Sequence, residues 1–105
     1  MGIQSDVYRS FFDRSIEGMF LTTPAGRYLL VNSRLAEIYG FSSSKEMMDH
    51  FQNIKTQLYV DPSRRDDFVK AMNEAGTVLE FESQVRRKDG TIIWISETAR
   101  AIVEE

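Results

Sequence analysis

A single histidine, sixteen acidic residues and no cysteine bound the chemistry open to this chain. His50 is the sole imidazole, so any histidine-ligated metal or histidine base must use it. It follows Met47-Met48-Asp49 near the end of a short helical run, and we expect a partly exposed, structurally incidental side chain there. The missing cysteines exclude disulfides, thiolate nucleophiles and zinc–thiolate sites. Asp66 and Asp67 are adjacent on a helix and diverge. Glu80 and Glu82 share a strand face with Gln84 and Arg86, the pattern of a solvated surface. No serine–histidine–acid set, phosphate-cradling glycine loop or metal-ligand spacing occurs. We therefore expect no catalytic residue, no metal and no cofactor: not an enzyme.

Glu97 differs from the other acids. If Ile93 and Ile95 point inward along a strand, the alternation carries Glu97 with them, followed by Ala99 and Ala101. A carboxylate so placed faces a pocket and could bind a cationic or hydroxylated ligand. In the alternative, Trp94 packs under the N-terminal helix while Glu97 sits at the rim, paired with Arg27 or Arg86. The rim is preferred, because an unpaired buried charge is costly.

The elements that must position these groups follow from period and punctuation. Val7, Tyr8, Phe11 and Phe12 lie at helical spacing between Asp6, a plausible cap, and Ser15. A helix this short needs a surface for its aromatic face, either its own sheet or a second subunit. Met19–Thr23 and Arg27–Val31 read as strands around the Pro24-Ala25-Gly26 turn. Asn32 caps a helix carrying Leu35, Ile38 and Tyr39, closed by Gly40, with Phe41 folding back. Ser43 and Glu46 form a capping box for a helix that buries Met47, Met48 and Phe51. Residues Asn53–Tyr59 read as one irregular turn. Asp61-Pro62 opens the helix Pro62–Ala75, which buries Phe68, Val69 and Met72 and ends at Gly76.

The last third changes to period two. Leu79, Phe81, Ser83 and Val85 alternate with Glu80, Glu82, Gln84 and Arg86, and Asp89-Gly90 turns the chain into a return strand from Thr91 to about Val103. The class is α+β, with the helices gathered on one face of an antiparallel sheet.

Composition agrees with a single domain spanning residues 1–105: residues 1–15 form a capping or dimerisation helix and 18–103 the core. The hydrophobic fraction of 42% suffices for a core, and 105 residues suffice for only one. A net charge of −3 argues against nucleic acid or an anionic membrane as partner. The basic pieces Arg64-Arg65 and Arg86-Arg87-Lys88 read as solvated surface. No apolar run approaches the roughly 20 residues of a bilayer span, and the N-terminus lacks signal-peptide features. A cytoplasmic location is expected.

Five segments in order carry a resemblance: Ser15–Phe20, Pro24–Asn32, Ile38–Phe41, Asp61-Pro62, and Arg87–Gly90 followed by Trp94. From Phe11 to about Val103 the chain resembles a PAS domain, the sensory module of bacterial histidine kinases and cyclic-nucleotide enzymes. The resemblance implies a nominally five-stranded antiparallel sheet, helices on one face, and a pocket with or without a ligand. Tyr39, Phe51, Phe68, Met72 and Phe81 would converge on that pocket with Glu97, although core packing alone explains the five. Haem-binding relatives place a histidine on the long helix, which has none here, and the flavin photoreceptors need a cysteine. Val7, Tyr8, Phe11, Phe12 and Trp94 would form a homodimer interface. The family's last strand, central in the sheet, is missing before Glu105. The resemblance therefore implies a truncated chain whose native form continues into a C-terminal effector domain. The resulting gap would close directly or by strand exchange between copies. A ligand-free interaction module is the rival function.

Overall fold

The computed structural model describes residues 2–102, and the backbone alone for residues 2–6. The chain runs α1 (Gly2–Arg14), β1 (Phe20–Thr22), β2 (Tyr28–Val31), α2 (Ser33–Ile38), α3 (Ser44–His50), α4 (Ile54–Gln57), α5 (Ser63–Ala75), β3 (Thr77–Arg86) and β4 (Ile92–Arg100). This is the predicted α+β order, with α4 in place of the irregular turn. Asn53 caps α4 by accepting the Thr56 amide.

Asn32 holds the N-terminal half together. It is fully buried. Its Oδ1 accepts from the Leu35 and Met19 amides, both at 2.9 Å. Its Nδ2 donates to the carbonyls of Phe12 and Glu17 at 2.8 and 2.9 Å. Both donors and both lone pairs of the amide are thus used. The expected cap is also the joint between α1, the segment before β1, and α2. Gly18 permits that joint, because a Cβ there would lie 2.8 Å from Leu35 Cδ1 and 3.2 Å from Leu35 Cα.

Other punctuation behaves as its chemistry dictates. Gly40 adopts φ +85° after α2, and the Phe41 amide folds back to the Ala36 carbonyl at 2.8 Å. Ser43 caps α3, but the Glu46 carboxylate takes the Ser42 amide rather than that of Ser43. The reciprocal bond of the capping box is displaced by one residue. Asp61 accepts the Ser63 amide at the start of α5. At the β3–β4 turn only Gly90 takes positive φ, and Arg87 and Thr91 close a three-residue loop. Helix α1 begins at Gly2, so Asp6 lies within it and is not its cap.

The strands form two antiparallel pairs, β1 with β2 and β3 with β4. Both hairpins turn one face to a common core: Val31 and Val85 are buried in it, with Phe20, Tyr28, Ile93 and Ile95 packed against it. Among the described residues the sheet does not close directly. Among the described residues β1 and β4 each keep an unpaired edge, because a groove floored by α5 lies between them. Leu79 also departs from expectation, being 75% exposed. A bulge between Val78 and Phe81, with Glu80 at φ +50°, reverses the alternation there and buries Val78 instead.

Candidate functional site

Strand parity puts Glu97 inside. In β4, Ile93, Ile95 and Glu97 face the core side while Ile92 and Trp94 are exposed, and Phe81 of β3 stands opposite Glu97. Glu97 is half-buried there, and it is the expected pairing with Arg27 or Arg86 that is corrected. Arg27 instead donates to Gln52 at 2.7 Å, and exposed Arg86 makes no ion pair among the described residues. Glu97 meets the Tyr59 hydroxyl, which donates to Oε2 at 3.4 Å. That is long for a hydroxyl–carboxylate bond, so it offsets only part of the desolvation. Burial raises the Glu97 carboxyl from 4.5 to about 7, opposed by Arg65, by the Tyr59 hydrogen bond and by Arg64.

Three tyrosines lie within range of this acid's charge. Burial pushes the phenols of Tyr28, Tyr39 and Tyr59 well above their ordinary value, and the charge of Glu97 adds to each shift. Tyr39 and Tyr59 are both 2% exposed. Tyr59 is held by the end of α4, where it bridges to Val85 of β3.

Arg65 completes the cluster and corrects the expectation of a solvated Arg64-Arg65 pair. Arg65 is 6% exposed. Its guanidinium reaches under the β1–β2 turn, where Nη2 donates to the Thr23 carbonyl at 3.2 Å, and it lies 5.2 Å from the Phe68 ring centroid. Its Nε is buried without a partner among the described residues. Arg65 stands three residues before Phe68 and seven before Met72, on the same stripe of α5. That helical spacing was the available signal. Arg64 behaves differently: it donates to the Glu82 carbonyl and Ser83 Oγ and stacks over Phe81 at 3.7 Å.

The other proposed pocket residues divide between two places. Tyr39 and Phe51 pack edge to face at 6.4 Å within the core, with Phe51 2% exposed. Phe68 and Phe81 pack edge to face at 5.4 Å. Phe68 and Met72 also floor the groove, a cavity of about 550 Å3 walled by Met19–Pro24 and Thr98–Ile102 and reached by Arg65. The structure brings Tyr39 and Glu97 into one electrostatic cluster, while Met72 and Phe51 belong to different spaces.

Of the proposed interface residues, Val7, Tyr8, Phe11 and Trp94 are exposed at 47, 73, 73 and 68%, and Phe12 is half-buried. Trp94 does not lie beneath α1. His50 is exposed and packs on the rings of Phe41 and Phe51. Among the described residues no cluster of histidine and acids could hold a metal, and no helix is long and apolar enough to cross a membrane.

Comparison with known proteins bears on this arrangement. A family model described as the PAS fold matches residues 28–105. A domain of the sensory box sensor histidine kinase/response regulator from Geobacter sulfurreducens has a similar structure. The TM-score is 0.74 at 22% sequence identity, covering 96% of this chain and 86% of that one. No curated protein matches the chain.

Proposed function

We propose that this chain, which belongs to the PAS fold family, is a sensory and regulatory module of a signal-transduction protein, of histidine-kinase or nucleotide-cyclase type. In this reading it performs no reaction itself. It relays a ligand or partner state through the geometry of a homodimer to a C-terminal effector domain, and works in the cytoplasm. The observation that carries the proposal is the exposed apolar face of α1, with Val7, Tyr8 and Phe11, together with Trp94 on the outer face of β4. Large apolar side chains exposed on adjacent turns of one helix are suited to a protein interface. A helix of 13 residues also gains much of its stability from packing. Sedimentation equilibrium tests this: the chain should dimerise at micromolar concentration, and Phe11→Glu should make it monomeric. A wild-type monomer at all concentrations would refute it.

A specific observation favours a second reading, a ligand-free interaction module. Tyr39, Phe51 and Met47 fill the core at 2, 2 and 0% exposure. Native mass spectrometry separates the two, since a copurifying small molecule would favour the sensor.

A further inference from the structure

Arg65 lines a second cavity besides the groove. This open cleft of about 570 Å3 lies between the β1–β2 turn, the start of α4 and the outer side of α5. Its charge runs against that of the chain. Lys55, Arg65 and Lys70 stand against Asp66 and Glu74, a surplus of one cation on a domain of net charge −3. Lys55 and Asp66 already pair at 3.1 Å. Lys70 is exposed and makes no ion pair among the described residues, although Glu74 stands one turn away on the same helix. Arg65 and Lys70 are therefore the two cations of the cleft with no acid of their own.

The observation that points to a ligand is the Arg65 side chain, which is 6% exposed. Its Nη2 is used by the Thr23 carbonyl at 3.2 Å, while Nε is buried with no partner among the described residues. A buried donor on a charged group is costly to leave unpaired, and folded proteins nearly always satisfy it. Gly26 of the turn faces that nitrogen. A Cβ built on Gly26 would sit 3.9 Å from Nε, so the missing side chain leaves the approach to Nε clear. The turn also holds Gly26 at φ +86°, where other residues are strained.

We propose that this cleft binds a small oxyanion, the carboxylate or phosphate group of a small molecule. One oxygen accepts from Arg65 Nε, and the Lys70 ammonium meets the remaining charge. Nε is shielded from solvent, so the anion reaches it as the turn at Gly26 gives way. The Gly26 carbonyl accepts the Ile54 amide at 3.0 Å, and that bond at the start of α4 moves with the turn. The site lies within one subunit and involves neither α1 nor Trp94, so failure of the dimer reading would leave it standing.

NMR of the whole chain tests the site, with sodium phosphate or sodium acetate replacing sodium chloride at fixed pH and ionic strength. The Arg65 Nε–H and the Gly26 and Ile54 amides should shift together along one saturable curve. Saturation by phosphate alone assigns the site to phosphate groups, by acetate alone to carboxylates, and by both to either. Lys70→Gln should weaken the affinity about threefold, the share of one exposed charge, whereas Lys45→Gln on α3 should leave it unchanged. Shifts that saturate with neither anion would overturn the proposal, a result read on the wild-type chain alone. So would an affinity indifferent to Lys70→Gln.

Discussion

Replacing Glu97 with glutamine removes one half-buried ionisable group from the core side of β4 while keeping its size and its ability to meet the Tyr59 hydroxyl. The fold raises this carboxyl from 4.5 to about 7, so the folded protein holds the proton more tightly than the unfolded chain. The associated stability is fully present below pH 4.5 and is lost as pH rises through 7. At about 1.4 kcal/mol for each pH unit, ionisation at pH 8 costs up to ~3 kcal/mol. Glutamine escapes that cost. Urea unfolding of the two proteins should therefore give curves that nearly coincide at pH 4.5 and diverge toward pH 8, with the variant more stable by up to ~3 kcal/mol. In thermal melts, even 2 kcal/mol corresponds to roughly 10 °C for a domain of this size. The surface acids Glu46, Asp61 and Asp89 are held below their ordinary range by hydrogen bonds from Ser42, Ser63 and Thr91. They weaken the fold as pH falls, but they do so equally in both proteins and cancel in the difference. A difference that stays constant from pH 4.5 to 8 would refute the reasoning.

Three further outcomes are expected. Asn32→Ala should destabilise the domain by about 3 kcal/mol, because it removes a cap and strands its partners in α1, in the segment before β1 and in α2; denaturant unfolding measures this, and a loss under 1 kcal/mol would contradict it. Gly18→Ala should cost roughly 1–3 kcal/mol by forcing a methyl against Leu35, and the same assay reads it. Arg65→Met should raise the Glu97 midpoint above that of the wild type, since the guanidinium is the largest influence lowering it; carboxyl NMR would show an unchanged midpoint if the two groups were not coupled.

Most of the fold was legible because it is punctuated by short-range chemistry. Asn32, Gly40, Ser43, Asp61-Pro62 and Gly76 each stop or start an element by bonds to residues within a few positions, and the structure has the corresponding helix ends. The period-two stretch ending at Val85 was readable for the same reason. Leu79 failed because a bulge with positive φ at Glu80 is an insertion in the ladder, to which alternation is blind. The unjoined hairpins failed because strand pairing across the gap depends on groups distant in sequence. At the candidate site, the inward Glu97 was legible from parity, but its neighbours were not. Arg65 was misplaced because its pairing with Arg64 suggested surface, although only Arg64 has its donors on the strand backbone. Tyr59 was missed because it lies just beyond a helix of one turn.

The absence of cysteine allows a spin label at one chosen position. Labelled Arg9→Cys, on the exposed side of α1, would report the spacing between two copies by double electron–electron resonance. A narrow intersubunit distance distribution is expected for the wild type, lost in a Phe11→Glu background. No dipolar coupling at any concentration would contradict a module that relays its state through paired subunits.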